Sequence, residues 1–196
     1  MNSEQVTQYW IERGKTYVNE EMHAQEFYRS QEQLFLEVVE GFKPKHVLDV
    51  GCGFGRITKV LAGAMPNTQV VGFDVSSDQL ANAWHRCGLL DNVDFFIHNV
   101  FLKEKIPPSP GRYDVAVCAE VLLHIPKEDI ERVIRKILVA APVLIHDVDP
   151  SWREEDAVSG HCVYHNYLGL YRRMDLTVRS VCSSEHTLLV VEGGKI

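Results

Sequence analysis

The segment Asp49-Val50-Gly51-Cys52-Gly53-Phe54-Gly55 puts three glycines at alternate positions just behind a carboxylate. Glycine turns tightly and bares its backbone, so such a loop offers peptide N–H groups to a bound molecule. The dinucleotide fingerprint is G-x-G-x-x-G, whereas the spacing here is G-x-G-x-G, with Arg56 where the last glycine would stand. Asp49 would repel a pyrophosphate and suits a ligand that carries an amino group and a positive sulfonium. A second carboxylate, Asp74, follows 19 positions beyond Gly55 and can accept hydrogen bonds from both hydroxyls of a ribose. Ser76 or Ser77 serves better as the cap of the next helix, which leaves Asp74 for the ligand.

Histidine suits proton transfer near neutral pH, and the chain has nine. His124 and His146 follow apolar strand-like runs, and His161 and His165 lie four apart. His146, Asp147, Asp149, His161 and His165 also carry metal-binding atoms. Yet His161-Cys162-Val163-Tyr164-His165 lacks the glutamate of H-E-x-x-H, and no spacing is diagnostic, so no metal is expected. Asp147 and Asp149 read equally well as turn residues.

Elements that alternate in type must position these groups. Phe27, Leu34, Phe35, Val38 and Val39 recur at helical steps between Glu20 and Glu40, where Gly41 and Pro44 end the helix. Strand runs follow at Val47–Val50, Gln69–Phe73, Val93–Ile97, Tyr113–Cys118 and Val143–Ile145. Helices are predicted from Arg56 to Ala64, from Ser76 to Cys87, and over Ile130, Val133, Ile134, Ile137 and Leu138. The loop 107–111 is proline-rich. This alternation predicts a doubly wound α/β domain, a mostly parallel sheet covered on both faces. Its ligand lies at the carboxyl ends of the strands. Val178–Cys182 and Thr187–Val191 are separated by only four residues, too few for a crossover, so this pair is antiparallel.

The 196 residues are expected to form one domain, with 1–44 a helical lid or extension and 45–196 the core. A net charge of −7 argues against broad nucleic-acid binding. No apolar run approaches the roughly 20 residues of a membrane span, and Met1–Trp10 has no signal-peptide character. Five scattered cysteines without C-x-x-C suggest a reducing, cytoplasmic setting.

Val47 to Gly55 resembles the first motif of the class I (Rossmann-like) S-adenosylmethionine-dependent methyltransferases. Asp74 matches their ribose-binding acid, Phe96–Val100 the segment beside adenine, and Tyr113–Ile125 the fourth strand and its loop. The resemblance spans about residues 45–192. It implies a seven-stranded sheet with the last strand reversed, S-adenosylmethionine as methyl donor and S-adenosylhomocysteine as product. By position it implies that Asp49, Gly51, Cys52 and Gly53 meet the methionine portion. Asp74 and Val75 would meet the ribose, Asn99 and Val100 the adenine, and Glu120 the region near the methyl. Tyr9, Trp10, Arg13 and Tyr17 would close over the pocket. His124, His146 and His165 are the candidate bases, needed where a hydroxyl acceptor must lose its proton.

No Asp/Asn-Pro-Pro-Tyr follows the fourth strand, so a nucleic-acid base is a disfavoured acceptor. The expected acceptor is a small molecule, or a small group on a larger metabolite or glycan, with O- and N-methylation both open. Tyr164, Tyr167, Tyr171, Arg172 and Arg173 either shape its specificity or form a helix surface. A nucleotide-dependent oxidoreductase is opposed by the glycine spacing and by Asp49. The alternative is a catalytically inactive, methyltransferase-like subunit that binds cofactor or a partner.

Overall fold

The computed structural model describes residues 1–17, 25–107, 112–149 and 161–193. Asn2 and Gln5 exchange side-chain and backbone hydrogen bonds in a capping box that starts α1 (Ser3–Arg13). Next come α2 (Gln25–Glu40), β1 (His46–Val50), α3 (Arg56–Ala64), β2 (Gln69–Asp74) and α4 (Ser77–Cys87). The chain continues through β3 (Val93–Ile97), β4 (Val115–Cys118), α5 (Ile130–Ala140), β5 (Val143–Val148) and α6 (Tyr167–Arg173). It ends in β6 (Thr177–Cys182) and β7 (Thr187–Glu192). The expected helix start at Glu20, the Phe27 side chain and the loop residues 108–111 lie outside what is described.

The seven strands form one sheet in the order β3-β2-β1-β4-β5-β7-β6. Every pairing is parallel except those of β7, which runs against both β5 and β6. The doubly wound sheet and its reversed last strand therefore stand as the sequence pattern predicts. β5 runs three residues past the predicted Ile145, because β7 pairs with it as far as Val148↔Thr187.

Strand alternation decides which helix covers which face. Leu48, Val50, Ala116 and Leu144 point to the face covered by α5, whose Ile130, Val133, Ile134, Ile137 and Leu138 form a helical stripe. Leu170 and Tyr171 of α6 join that layer. Val47, Val115, Val117 and Ile145 point the other way, against Leu34, Phe35 and Val38 of α2 and Ile57 and Leu61 of α3. Leu80 and Ala83 of α4 pack on Phe95. Among the described residues no helix is long and apolar enough to cross a membrane.

β1, β2 and β3 step outward in one direction, and β4 and β5 in the other. The crevice between their diverging loops is where an open parallel sheet receives a ligand.

Candidate functional site

A cleft opens at that crevice. Asp49, Gly51, Cys52, Gly53, Asp74, Val75, Asn99, Val100 and Glu120 all line it. Val6, Thr7 and Trp10 of α1, with Tyr17, line it from above.

Gly51, Gly53 and Gly55 have φ of 66°, 51° and 79°, the left-handed region in which a side chain is strained. Space is also decisive at Gly51, where a Cβ would sit 2.7 Å from Val121 Cγ2. The loop is fastened to β2 by two bonds. Cys52 N–H donates to the Phe73 carbonyl at 2.9 Å, and Gly53 N–H donates to Asp74 Oδ2 at 3.0 Å. Ser76 N–H donates to Asp74 Oδ1 at 2.9 Å. A carboxylate has about four lone-pair sites, so Asp74 keeps acceptor capacity toward the cleft. Withdrawal from solvent raises its pKa, against the backbone bonds from Ser76, Gly53 and Val75. Ser76 is the helix cap: its hydroxyl accepts from Gln79 N–H at 3.4 Å.

Asp49 is 2% exposed and sits beneath α3, where Thr58 Oγ1 donates to its Oδ2 at 2.6 Å. Burial pushes its pKa up to about 6, in spite of that bond and the charge of Arg56. Such a carboxyl gains from any positive charge brought into the cleft.

Gln79 is a further wall residue, one that no sequence motif singled out. Its Nε2 donates to the Gly14 carbonyl at 3.1 Å, while its Oε1 is buried without a hydrogen-bond partner. Gly14 ends α1, and Asn99 Nδ2 donates to Thr7 Oγ1 in the same helix at 3.0 Å. Asn99 Oδ1 accepts from Phe101 N–H at 2.9 Å. α1 thus lies across the cleft, tied at its middle and at its C-terminal cap.

The other end of the cleft is held by side chains. Glu120 is left-handed, with φ of 59°, and its N–H donates to Asp147 Oδ1 at 2.8 Å. Gln31 Nε2 donates to Glu120 Oε1 at 3.1 Å and reaches Asp147 Oδ2 at 3.4 Å. Gln31 Oε1 accepts from Arg56 Nη2 at 2.7 Å. Arg56 also pairs with Glu32 at 3.4 Å and lies over the Tyr28 ring at 4.3 Å. Burial, then the neighbouring Glu120 charge, raises the Asp147 pKa well above the carboxylate range. Gln31 has a signal in the sequence: it is a polar residue three before Leu34 and four before Phe35, on the apolar stripe.

The three candidate histidines part company. His124 lines the cleft beneath Trp10, ring centroids 4.6 Å apart, and its Nδ1 faces the His161 carbonyl at 3.0 Å. Burial holds its pKa down to about 4. His146 is fully buried away from the cleft. Tyr171 hydroxyl lies 2.5 Å from its Nε2, and its Nδ1 lies 2.9 Å from the Asp147 carbonyl. His165 Nε2 lies 2.9 Å from the Ile125 carbonyl, also outside the cleft lining. Tyr167 and Tyr171 pack on His146.

Residues 47–140 match a family described as "Methyltransferase domain". The ubiquinone biosynthesis O-methyltransferase of Bordetella parapertussis is 37% identical over 90 residues, 46% of this chain and 36% of that protein. The enzyme of the same name from Sodalis glossinidius is 36% identical over 91 residues, covering 46% and 35%. The matched segment is thus about a third of the length of these relatives. Among solved structures, a DhpI–SAH complex aligns with 99% of this chain and 98% of its own, at 19% identity and a TM-score of 0.75. Magnesium protoporphyrin IX methyltransferase from Synechocystis PCC 6803 with bound SAH covers 87% and 84%, at 19% identity and a TM-score of 0.66.

Proposed function

We propose, from the premise that this chain belongs to the class I (Rossmann-like) S-adenosylmethionine-dependent methyltransferases, that it transfers a methyl group to a small-molecule acceptor. One observation carries the reading. A left-handed glycine loop, Asp49 and Asp74 line a single cleft, with Asp74 bonded to the loop.

The donor and acceptor chemistry fits S-adenosylmethionine. It brings an amino group, ribose hydroxyls and a positive sulfonium; the cleft brings Asp49, Asp74 and the unpartnered oxygen of Gln79. In this reading Asp49, Gly51, Cys52 and Gly53 hold the methionine portion. Asp74 and Val75 hold the ribose, and Asn99 and Val100 flank the adenine. When bound, the cofactor supplies an electrophilic methyl, so little covalent chemistry falls to the protein.

The chain's own part is to place the acceptor and exclude water. Residues 1–44 act as a lid on a core of 45–196, with Trp10 and Tyr17 covering the cleft. Glu120, fixed by Gln31 and Asp147, faces the acceptor end. Proton transfer falls to neither His146 nor His165, whose ring nitrogens serve the fold. His124 is the one candidate histidine on the cleft wall. The net charge of −7 supports an acceptor other than nucleic acid, and the cytoplasm is the setting this reading gives.

Calorimetric titration with S-adenosylmethionine, S-adenosylhomocysteine and NAD tests the cofactor class. Saturable binding of the first two alone is expected, and binding of NAD alone would overturn the proposal. Asp74→Ala should weaken binding by about 1.5–3 kcal/mol, the worth of hydrogen bonds to a charged acceptor. Unchanged affinity in a folded variant removes Asp74 from the ribose site. Transfer of labelled methyl to small phenols, carboxylates or amines then separates an enzyme from an inactive cofactor-binding subunit.

A further inference from the structure

His124, at the end of a short 3-10 turn (Leu122–His124) beyond β4, meets two residues that lie 37 and 38 positions further on. His124, His161 and Cys162 each bring one metal-binding atom, and the three atoms all lie within 4.8 Å of one another. His124 Nδ1 and Cys162 Sγ are 3.8 Å apart. Tetrahedral zinc, with bonds of about 2.0–2.1 Å to nitrogen and about 2.3 Å to sulfur, sets such atoms roughly 3.6 Å apart. The His124–Cys162 pair is therefore near ligating distance, and His161, within 4.8 Å of both, must close in to complete the set.

Aromatic rings fix the two imidazoles in place. Tyr9 stacks on His161 and Trp10 lies over His124, each with centroids 4.6 Å apart. The backbone of Glu120 is a second hydrogen-bond partner of the His124 ring. His124 Nδ1 donates to the His161 carbonyl at 3.0 Å, so ligation through Nδ1 requires that proton to move to Nε2, where the Glu120 backbone accepts it. Cys162 is a free thiol, half-buried.

We propose that His124, His161 and Cys162 form a zinc-type metal site in the wall of the cleft. Two imidazoles and a thiolate favour zinc over magnesium or calcium, which take oxygen ligands. Binding displaces the Cys162 thiol proton into solvent, and sulfur then donates an electron pair to the ion. Three protein ligands leave the fourth position for water or a heteroatom of a cleft ligand, the pattern of open zinc sites. No spacing in the sequence marks this set, because the fold alone joins its members.

The test is a titration of the chelator-treated, full-length chain with cobalt(II). One equivalent should bind, giving the intense visible bands of four-coordinate cobalt and a near-ultraviolet thiolate charge-transfer band. Zinc should displace it. Cys162→Ser should abolish the charge-transfer band, and His161→Gln should weaken binding roughly ten-fold or more. Cys182→Ser, which changes an exposed thiol outside the cluster, should leave both bands. Circular dichroism establishes that each variant is folded. Absence of one-equivalent binding, or a charge-transfer band that survives Cys162→Ser, overturns the site. S-adenosylhomocysteine is titrated in parallel without metal. Intact binding of it beside failed cobalt binding refutes the metal site alone, and the reverse result refutes the cofactor reading alone.

Discussion

On the glycine-loop side of the cleft, the fixing bonds are short in sequence. Thr58 reaches Asp49 across nine positions and Gly53 reaches Asp74 across 21. On the acceptor side, Gln31 reaches Glu120 across 89 positions and Asp147 across 116. The lid contact from Asn99 to Thr7 spans 92. Two neighbouring strands with the turn and helix between them suffice to build the first side. The second exists only once the whole sheet has formed, and its chemistry belongs to this chain in particular.

Gly51 is where the two sides touch, and it offers the most damaging way to test their independence. Gly51→Ala places a Cβ 2.7 Å from Val121 Cγ2, next to Glu120, at a φ of 66°. Left-handed strain of about 1–2 kcal/mol and overpacking of about 1–3 kcal/mol should sum to roughly 2–5 kcal/mol. Thermal unfolding and S-adenosylhomocysteine titration should report a lower melting temperature and lost binding. Adding Val121→Ala should recover the overpacking part and leave the backbone strain. If the single variant binds normally, the loop does not cradle the ligand and the contrast between the sides has no functional content.

The same contrast explains what the sequence made legible. Strand–helix alternation and the Asp49-to-Gly55 spacing are local patterns, so the sheet, the loop and Asp74 could be read directly. The four-residue link before Thr187 also forced the antiparallel pair. Gln31 carries a signal, its place on an apolar helix stripe, but that signal acquires meaning only when Glu120 and Asp147 arrive opposite it. The three candidate histidines could not be told apart for a similar reason. His124, His146 and His165 all follow or flank the right strands, but which of them meets the cleft depends on how the sheet and the loops beyond it turn each ring, and no local pattern records that.

Asp49 allows the local side to be tested by charge alone. Its pKa in the folded chain is about 6, above its ordinary value of 3.8. The folded state therefore holds the proton more tightly than the unfolded chain. On this group's account stability falls as pH rises from about 4 to about 6, and the penalty is complete above that range. A shift of this size is worth about 2–3 kcal/mol, with the Thr58 bond already counted in it; asparagine recovers only part of this, because its amide nitrogen needs an acceptor of its own. Asp49→Asn should then raise the melting temperature at pH 8 by roughly 2–4 °C, for about 1 kcal/mol, and leave it unchanged near pH 4. It should also weaken S-adenosylmethionine binding. In the native protein, binding the sulfonium near pH 6 should release a proton, seen as a heat that varies with buffer ionisation enthalpy. A melting temperature insensitive to Asp49→Asn at pH 8 would mean that the buried carboxyl is not strained.

The smallest expected effect falls on the lid, whose contact spans 92 positions. Thr7 Oγ1 accepts from Asn99 Nδ2 at 3.0 Å and donates to the Ser3 carbonyl at 2.8 Å. Thr7→Val keeps the shape and removes both bonds. Ser3 and Thr7 lie in one helix, so their bond contributes equally whether α1 is docked or lifted. Only the bond to Asn99 distinguishes the two states, and one such bond is worth about 0.5–1.5 kcal/mol. At about 1 kcal/mol, S-adenosylhomocysteine should dissociate roughly five-fold faster. The association rate should hardly change, and the melting temperature should fall by only a few degrees, about 2–4 °C per kcal/mol lost. Stopped-flow displacement followed through Trp10 fluorescence, in a chain whose other tryptophans are replaced by phenylalanine, reads this directly. An unaltered dissociation rate would make α1 a fixed wall, and the acceptor side would then be open to solvent from elsewhere.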